Sequence, residues 1–256
     1  MLLYVYRRYI ATFGILLTFF LYAMLLTGRG MTQPRFVLDQ ADGNVKQASG
    51  LSLRKVSDFL AGRKYAVLTF DDGPYGYGVD EQIMATLRKH HARAMFFLVC
   101  SHINDANQDV LGKLEGAGHL IGNHSYDHLK LDTVSSKPVL EHQIDGCSQR
   151  LAELTGRRPY YFRPPYGATS PLVAQMAQSA GMKQMLWNAN SEDSWMTQPE
   201  QILHWSLEQT EDQSILLLHE KPATAAALDE LLTQLEQRGF QFVLPDQLSG
   251  NNSAIN

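Results

Sequence analysis

The sequence has little cysteine. Its two residues, Cys100 and Cys147, are too few for a disulfide scaffold. It also has little charge: Asp, Glu, Lys and Arg make up 19% of the chain, against about 25% in ordinary soluble domains. No excess of positive charge is present either. The formal net charge is −4, and an acidic chain is repelled by phosphate backbones, which disfavours nucleic acid as a partner. Internal repeats and low-complexity tracts are absent, so a repeat array is not expected. The hydrophobic content of 45% excludes disorder over most of the chain. The 256 residues suit one domain with a small appendage.

One further absence is local. Residues 1–30 contain no acid, only three arginines, Arg7, Arg8 and Arg29. The remainder carries 19 basic and 26 acidic residues, a balance of −7. Ile10 to Gly28 is a run of 19 residues without a charge, close to the roughly 20 that a helical membrane span needs. Arg7 and Arg8 before it place the N-terminus in the cytoplasm and the body on the far side by the positive-inside bias. A cleaved signal peptide is the competing reading. The length of the run and the lack of a following Ala-x-Ala favour a retained anchor. The expected layout is an anchor at 1–30, a linker at 31–62 and a folded domain at 63–250. Either export reading puts the cysteines in an oxidising compartment, where they can pair if the fold brings them together.

From Tyr65 onward, apolar runs of strand length alternate with helical periodicity. The expected strands are 65–70, 94–99, 119–122, 160–163, 184–187, 215–219 and 240–244. The expected helices are 81–90, 107–117, 139–155, 171–180, 199–210 and 223–238. Leu228, Leu231, Leu232 and Leu235 form one apolar stripe on the last helix. Gly116, Gly156, Gly181 and Gly239 stand where helices should stop. Such alternation means parallel strands covered by helices, and both a barrel and a doubly wound sheet satisfy it. In either, the site lies at the C-terminal strand edge.

The residues that follow each strand carry the chemistry. After the first come Asp71, Asp72, Gly73 and Pro74. Strand alternation sends adjacent side chains to opposite sides, leaving one carboxylate for a cation and one as a base; a plain Asp-Gly-Pro turn is the other reading. After the third come His124 and His128, which share a face if the stretch turns helically. Two imidazoles and a carboxylate make an open three-ligand zinc site. After the fourth stands Arg163 in Arg-Pro-Pro-Tyr-Gly, able to lock a carboxylate. After the fifth lie Asn190, Asp193, Ser194 and Trp195, and His219 ends the sixth. A lone strand-end histidine is commonly structural, but a nearby acid such as Asp193 would keep it protonated.

These motifs, TFDDGP, NHSYDH, RPPYG, the Trp/Asp segment and LLLH, fall in order, one per strand end. The set resembles the polysaccharide deacetylases, the NodB-homology or carbohydrate esterase family 4 proteins, over about residues 65–248. The resemblance implies an α/β fold, a distorted (β/α)7 barrel; the reading of residues 1–30 adds one transmembrane helix before it. The resemblance also implies metal-dependent hydrolysis of N-acetyl, sometimes O-acetyl, groups on sugars, and the anchor reading places the amino-sugar glycan outside the cytoplasm. By resemblance Asp71 is the general base, and Asp72, His124 and His128 hold a divalent metal, commonly Zn2+. Arg163 orients Asp71, and Tyr166 offers its backbone N–H to the oxyanion. His219, tuned by Asp193, is the general acid. Leu216 or Leu218 lines the acetyl pocket, with Trp195 at its wall. The family's W-x-x-D-x-x-D-W pattern is broken, since Asn190 replaces the first Asp and Trp195 stands one place late, after Ser194. The expected location is the inner membrane, single-pass, with the domain in the periplasm. Two alternatives remain: a lipid-linked N-formyl or N-acetyl amino sugar as substrate, and a non-catalytic carbohydrate-binding protein.

Overall fold

The computed structural model describes residues 63–248 together with 254 and 255. The expected anchor and linker lie outside the described residues. Among the described residues, no helix is long and apolar enough to cross a membrane.

The elements in chain order are β1 (Lys64–Gly73), α1 (Val79–Lys89), β2 (Ala94–Leu98), α2 (Asp109–Gly116), β3 (Leu120–Asn123), α3 (Lys137–Glu141), a π-helical turn (His142–Gly146), α4 (Cys147–Thr155), β4 (Tyr161–Phe162), α5 (Pro171–Ser179), β5 (Lys183–Gln184), β6 (Ala189–Asn190), α6 (Pro199–Gln209), β7 (Ser214–His219), α7 (Pro222–Gln237) and β8 (Phe240–Phe242). The strands form one sheet in the order β5-β4-β3-β2-β1-β7-β6, and β8 pairs with the start of β1. All the ladders between these strands are parallel, and one isolated antiparallel bridge joins Met185 to Ile255.

The expected distorted (β/α)7 barrel takes the form of an eight-stranded parallel half-barrel. Its ends, β5 and β6, do not pair with each other. The cause lies in the segment expected as one strand over 184–187. It leaves the sheet after Gln184 and rejoins it at Ala189. In between, the carbonyls of Met185 and Leu186 accept hydrogen bonds from the Arg163 guanidinium instead of from a neighbouring strand. A ladder there would compete with the arginine for the same oxygens.

Strand alternation divides the buried residues into two layers. Ala66, Leu68 and Phe70 of β1 face outward, with Leu216 and Leu218 of β7, into the core shared with α1, α2 and α7. Val67 and Ile215 face inward with Met95 and Phe97. Thr69 and Asp71 continue that inner face toward the C-terminal edge, as period-two geometry requires. The leucine stripe on α7 is wholly buried in the outer core. Gly156, Gly181 and Gly239 take positive φ after helices as expected, but Gly116 ends α2 in helical conformation and Gly118, at φ 80°, makes the turn. Cys100 and Cys147 are joined by a disulfide.

Leu231 of α7 is completely buried against the sheet. Truncation to alanine is expected to lower the unfolding free energy by about 2–5 kcal/mol. Urea unfolding of the purified protein measures this, with an unchanged midpoint excluding the described α7 packing.

Candidate active site

The site begins with a break in β1. The β1–β2 register shifts between Asp71 and Gly73, leaving Asp72 as the extra residue of a β-bulge at φ 71°. Bulges re-aim side chains, and this one corrects the expected separation of the two carboxylates to opposite sides. Both turn to the same place: His124 Nε2 lies 3.6 Å from Asp71 Oδ2 and 3.4 Å from Asp72 Oδ1. Their roles are separated by their partners instead.

Asp71 is held by Arg163. The guanidinium is fully buried, and its Nη1 donates to Asp71 Oδ1 and to Thr69 Oγ1, each at 2.8 Å. Nε donates to the Met185 carbonyl at 3.1 Å and Nη2 to that of Leu186 at 2.8 Å. Phe97 and Trp187 flank its charge, with ring centroids 4.2 and 5.6 Å from Cζ. Gly167 is fixed by the same packing: at φ 65°, a Cβ there would meet the Trp187 ring at 2.9 Å. Burial pulls the arginine's pKa down and Asp71 pulls it back up, leaving it below its ordinary value. Arginine nonetheless stays charged in proteins.

The histidines meet by a loop, which corrects the expected helical turn. Ser125 and His128 both have positive φ. Asn123 shapes the start of the loop, its Oδ1 accepting from the Ser125 N–H at 2.7 Å. Its Nδ2 donates to the carbonyl of Ile144, in the π-helical turn, at 2.7 Å. Ser125 Oγ accepts from the His128 N–H at 3.0 Å. His124 Nδ1 sits 2.8 Å from the Arg163 carbonyl; an N–H there leaves the Nε2 lone pair facing the site, the usual second partner of a metal-bound imidazole.

A divalent cation fits this set. One donor atom from each of Asp72, His124 and His128 lies within 4.8 Å of the others. Asp72 Oδ1 is buried with no hydrogen-bond partner, although Nε2 of His128 is 3.1 Å away. Lone pairs converging without hydrogen bonding are what a shared cation would satisfy. Burial pushes the Asp72 carboxyl up, but contacts with His124 and His128 and the charges of His124 and His219 outweigh it, holding the group far below the usual carboxylate range.

Across the site His219 Nε2 is 3.9 Å from Asp72 Oδ2. Its Nδ1 is 2.6 Å from Asp193 Oδ1. The other Asp193 oxygen accepts from the His219 N–H at 2.7 Å and from Thr224 Oγ1 at 2.6 Å. Burial pushes the imidazole down, while Asp193 and the charges of Asp71 and Asp72 push it up by more, so its pKa is raised. Burial likewise raises Asp193, but its bonds to His219 and Thr224 bring it below its ordinary value.

Tyr166 has φ 61°, a ring 66% exposed and packed 4.7 Å from the His128 ring. The positive φ turns its backbone away from the regular helical course, in a short turn beside the histidines. Leu216 and Leu218 do not line the site. Both are buried in the outer core, and strand alternation puts them on the face opposite His219. Leu217, on the same face as His219, is the residue placed to do so. Trp195 is 78% exposed at the rim, its Nε1 donating to Glu192 Oε2 at 2.9 Å. Asn190 Nδ2 donates to the other Glu192 oxygen, so the altered segment is tied by this glutamate. Thr69, Asn123, Thr224 and Leu217 were not expected here. Period-two spacing from Asp71 and His219 marks Thr69 and Leu217; no local signal marks the others.

A family model described as polysaccharide deacetylase matches residues 61–185. A peptidoglycan-N-acetylglucosamine deacetylase of Listeria monocytogenes is 34% identical over 193 residues, covering 75% of this chain and 40% of that protein. The chain thus spans well under half of that relative. A solved structure of the Bacillus subtilis peptidoglycan deacetylase PdaC is 30% identical with a TM-score of 0.66, covering 72% of this chain and 89% of that one. A Bacillus anthracis structure described as a carbohydrate esterase family 4 pseudoenzyme is 25% identical with a TM-score of 0.68, covering 73% of this chain and 65% of that one.

His124→Ala is expected to remove stoichiometric metal, measured by elemental analysis after dialysis, while circular dichroism stays native; full retention would exclude His124 as a ligand. Asp193→Asn removes the charge that raises His219. A general acid at His219 would be protonated below its pKa and lost above it, so the alkaline fall in kcat/KM is expected to move to lower pH in this variant. An unmoved alkaline limb would detach His219 from that pH dependence.

Proposed function

The chain belongs to the polysaccharide deacetylase family, and from that premise we propose that it is a hydrolase that removes N-acetyl groups from an amino-sugar glycan outside the cytoplasm, with peptidoglycan as the favoured substrate. The observation that carries the reading is the division of labour at the end of β1: Asp71 is paired with the buried Arg163 and left to act as a base, beside a separate Asp72, His124 and His128 set. The substrate is suggested by the relatives, which are named as deacetylases of peptidoglycan N-acetylglucosamine or N-acetylmuramic acid.

Asp72, His124 and His128 would hold the cation, for which zinc is the proposed identity. When bound, it supplies Lewis-acid polarisation of an amide carbonyl and acidifies water. Asp71 takes the proton of the attacking water as the new C–O bond forms. Arg163 keeps that carboxylate oriented until then. The backbone N–H of Tyr166 donates to the carbonyl oxygen as it gains charge. His219, held protonated by Asp193, gives its proton to the leaving nitrogen as the C–N bond breaks. Acetate and the free amine result. Leu217 replaces Leu216 and Leu218 as the proposed contact for the acetyl methyl.

The proposed layout keeps residues 63–250 as the catalytic domain, 31–62 as a linker and 1–30 as a membrane anchor with its N-terminus in the cytoplasm. The Cys100–Cys147 disulfide supports an oxidising location such as the periplasm. A non-catalytic role is disfavoured because Asp71, Asp72, His124, His128 and His219 are all present and assembled.

The full chain supplied with zinc is expected to release acetate from peptidoglycan. Asp71→Asn should keep its metal and lose about 10²–10⁴-fold in rate. Wild-type turnover in that variant would overturn the base assignment, and formate release from a lipid-linked sugar would replace the proposed substrate.

A further inference from the structure

Glu220 follows His219 at the end of β7, and none of the catalytic steps above uses it. Its side chain is buried, and neither carboxyl oxygen has a hydrogen-bond partner. An isolated buried carboxylate is costly, so such a group is retained neutral or with a purpose. Its surroundings indicate the purpose. A Cβ on Gly73 would lie 1.6 Å from Glu220 Oε1 and 2.2 Å from its Cδ. The glutamate therefore occupies the space that a side chain at position 73 would need, and the chain after the bulge rests directly on it.

Asp80, buried near the start of α1, is the second support. Its Oδ1 accepts from the Tyr75 N–H at 3.1 Å and its Oδ2 from the Gly76 N–H at 2.7 Å. Burial first, then the neighbouring Asp80 and the charges of Asp72 and Asp71, push the Glu220 carboxyl well above its ordinary range. Two adjacent buried carboxyls cannot both ionise cheaply, and the neutral one presents an O–H that the other can attract. Asp80 already spends both oxygens on the turn.

What the two acids support is a wall. Tyr75, Met196, Thr197, Lys221, Pro222 and Ala223 line an open groove of about 500 Å³. Tyr75 is half-exposed there, with Tyr77 edge-on to it at 6.5 Å. An aromatic ring with one apolar face and a polar tip suits the face of a sugar ring.

We propose that Glu220 is a positioning residue for glycan binding, acting through Gly73 and Asp80 to set the height of Tyr75 over this groove. The proposal rests on reading the site as one that takes a glycan. It predicts that Glu220 acts by shape and hydrogen-bonding capacity and that its effect passes through Tyr75.

The test is calorimetric binding of chitopentaose to the zinc-loaded full chain. Glu220→Ala and Tyr75→Ala are each expected to weaken binding several-fold, and the double variant no further than either alone. Glu220→Gln, which keeps the shape and an N–H donor toward Asp80, should bind as wild type does. Zinc stoichiometry should be the same in all. Wild-type affinity in Tyr75→Ala, additive losses in the double variant, or a Glu220→Gln protein as weak as Glu220→Ala would each overturn the proposal. The exposed Tyr75 position keeps the test decisive even if Glu220→Ala fails to fold. Acetate release is scored separately: intact glycan binding without hydrolysis by wild type would sink the hydrolase reading and leave this result standing.

Discussion

The arrangement of the site depends on one buried ion pair, Arg163 with Asp71. Arg163 is the largest fully buried side chain among the described residues. Taking a guanidinium out of water is expensive, and only a complete set of acceptors offsets the loss. Asp71, Thr69, Met185 and Leu186 supply those acceptors from β1 and from the segment beyond β5. The carbonyl of the same arginine takes the His124 ring N–H. One residue therefore fixes the orientation of the base, the tautomer of a proposed metal ligand and the place where the sheet opens. The half-barrel and the site are consequences of the same set of hydrogen bonds.

A second constraint acts through the backbone. The bulge at Asp72 brings two adjacent carboxylates to one side, where like charges repel. Each faces its own partners: Asp71 faces Arg163, and Asp72 faces His124 and His128. The histidine loop is itself held from behind. Asn123 bonds the carbonyl of Ile144 in the π-helical turn, and Cys147, which begins α4 immediately after that turn, is linked to Cys100. The Cys100 and Ser101 N–H groups donate to the Ser125 and Tyr126 carbonyls. The disulfide thus joins two supports of the loop that carries His124 and His128.

Much of this was legible in the sequence, for reasons that particular residues make clear. Long apolar-periodic elements such as α7 and β7 are visible because burial on one face imposes a period. The residues around Asp71, His124, Arg163 and His219 are visible because each ends a strand. The strand expected over residues 184–187 is cut short after Gln184, and nothing local in the sequence reveals that Arg163 takes the carbonyls of Met185 and Leu186. The helical reading of His124 to His128 failed for a similar reason: spacing alone does not show that Ser125 and His128 adopt positive φ. Leu216 and Leu218 were placed on the wrong face, although counting by twos from His219 selects Leu217. The burial of Glu220 gives no sign in the sequence, since it depends on Gly73, far away in the chain.

The central claim is that Asp72, His124 and His128 share one divalent cation beside an arginine-locked base. Anomalous diffraction at the zinc absorption edge, from crystals of the zinc-loaded protein, tests it most directly. The account predicts a single strong peak within coordinating distance of Asp72 Oδ1 and the Nε2 atoms of His124 and His128, with Asp71 still paired to Arg163. A peak coordinated by Asp71 in place of Asp72, or no peak between the three residues, would contradict it.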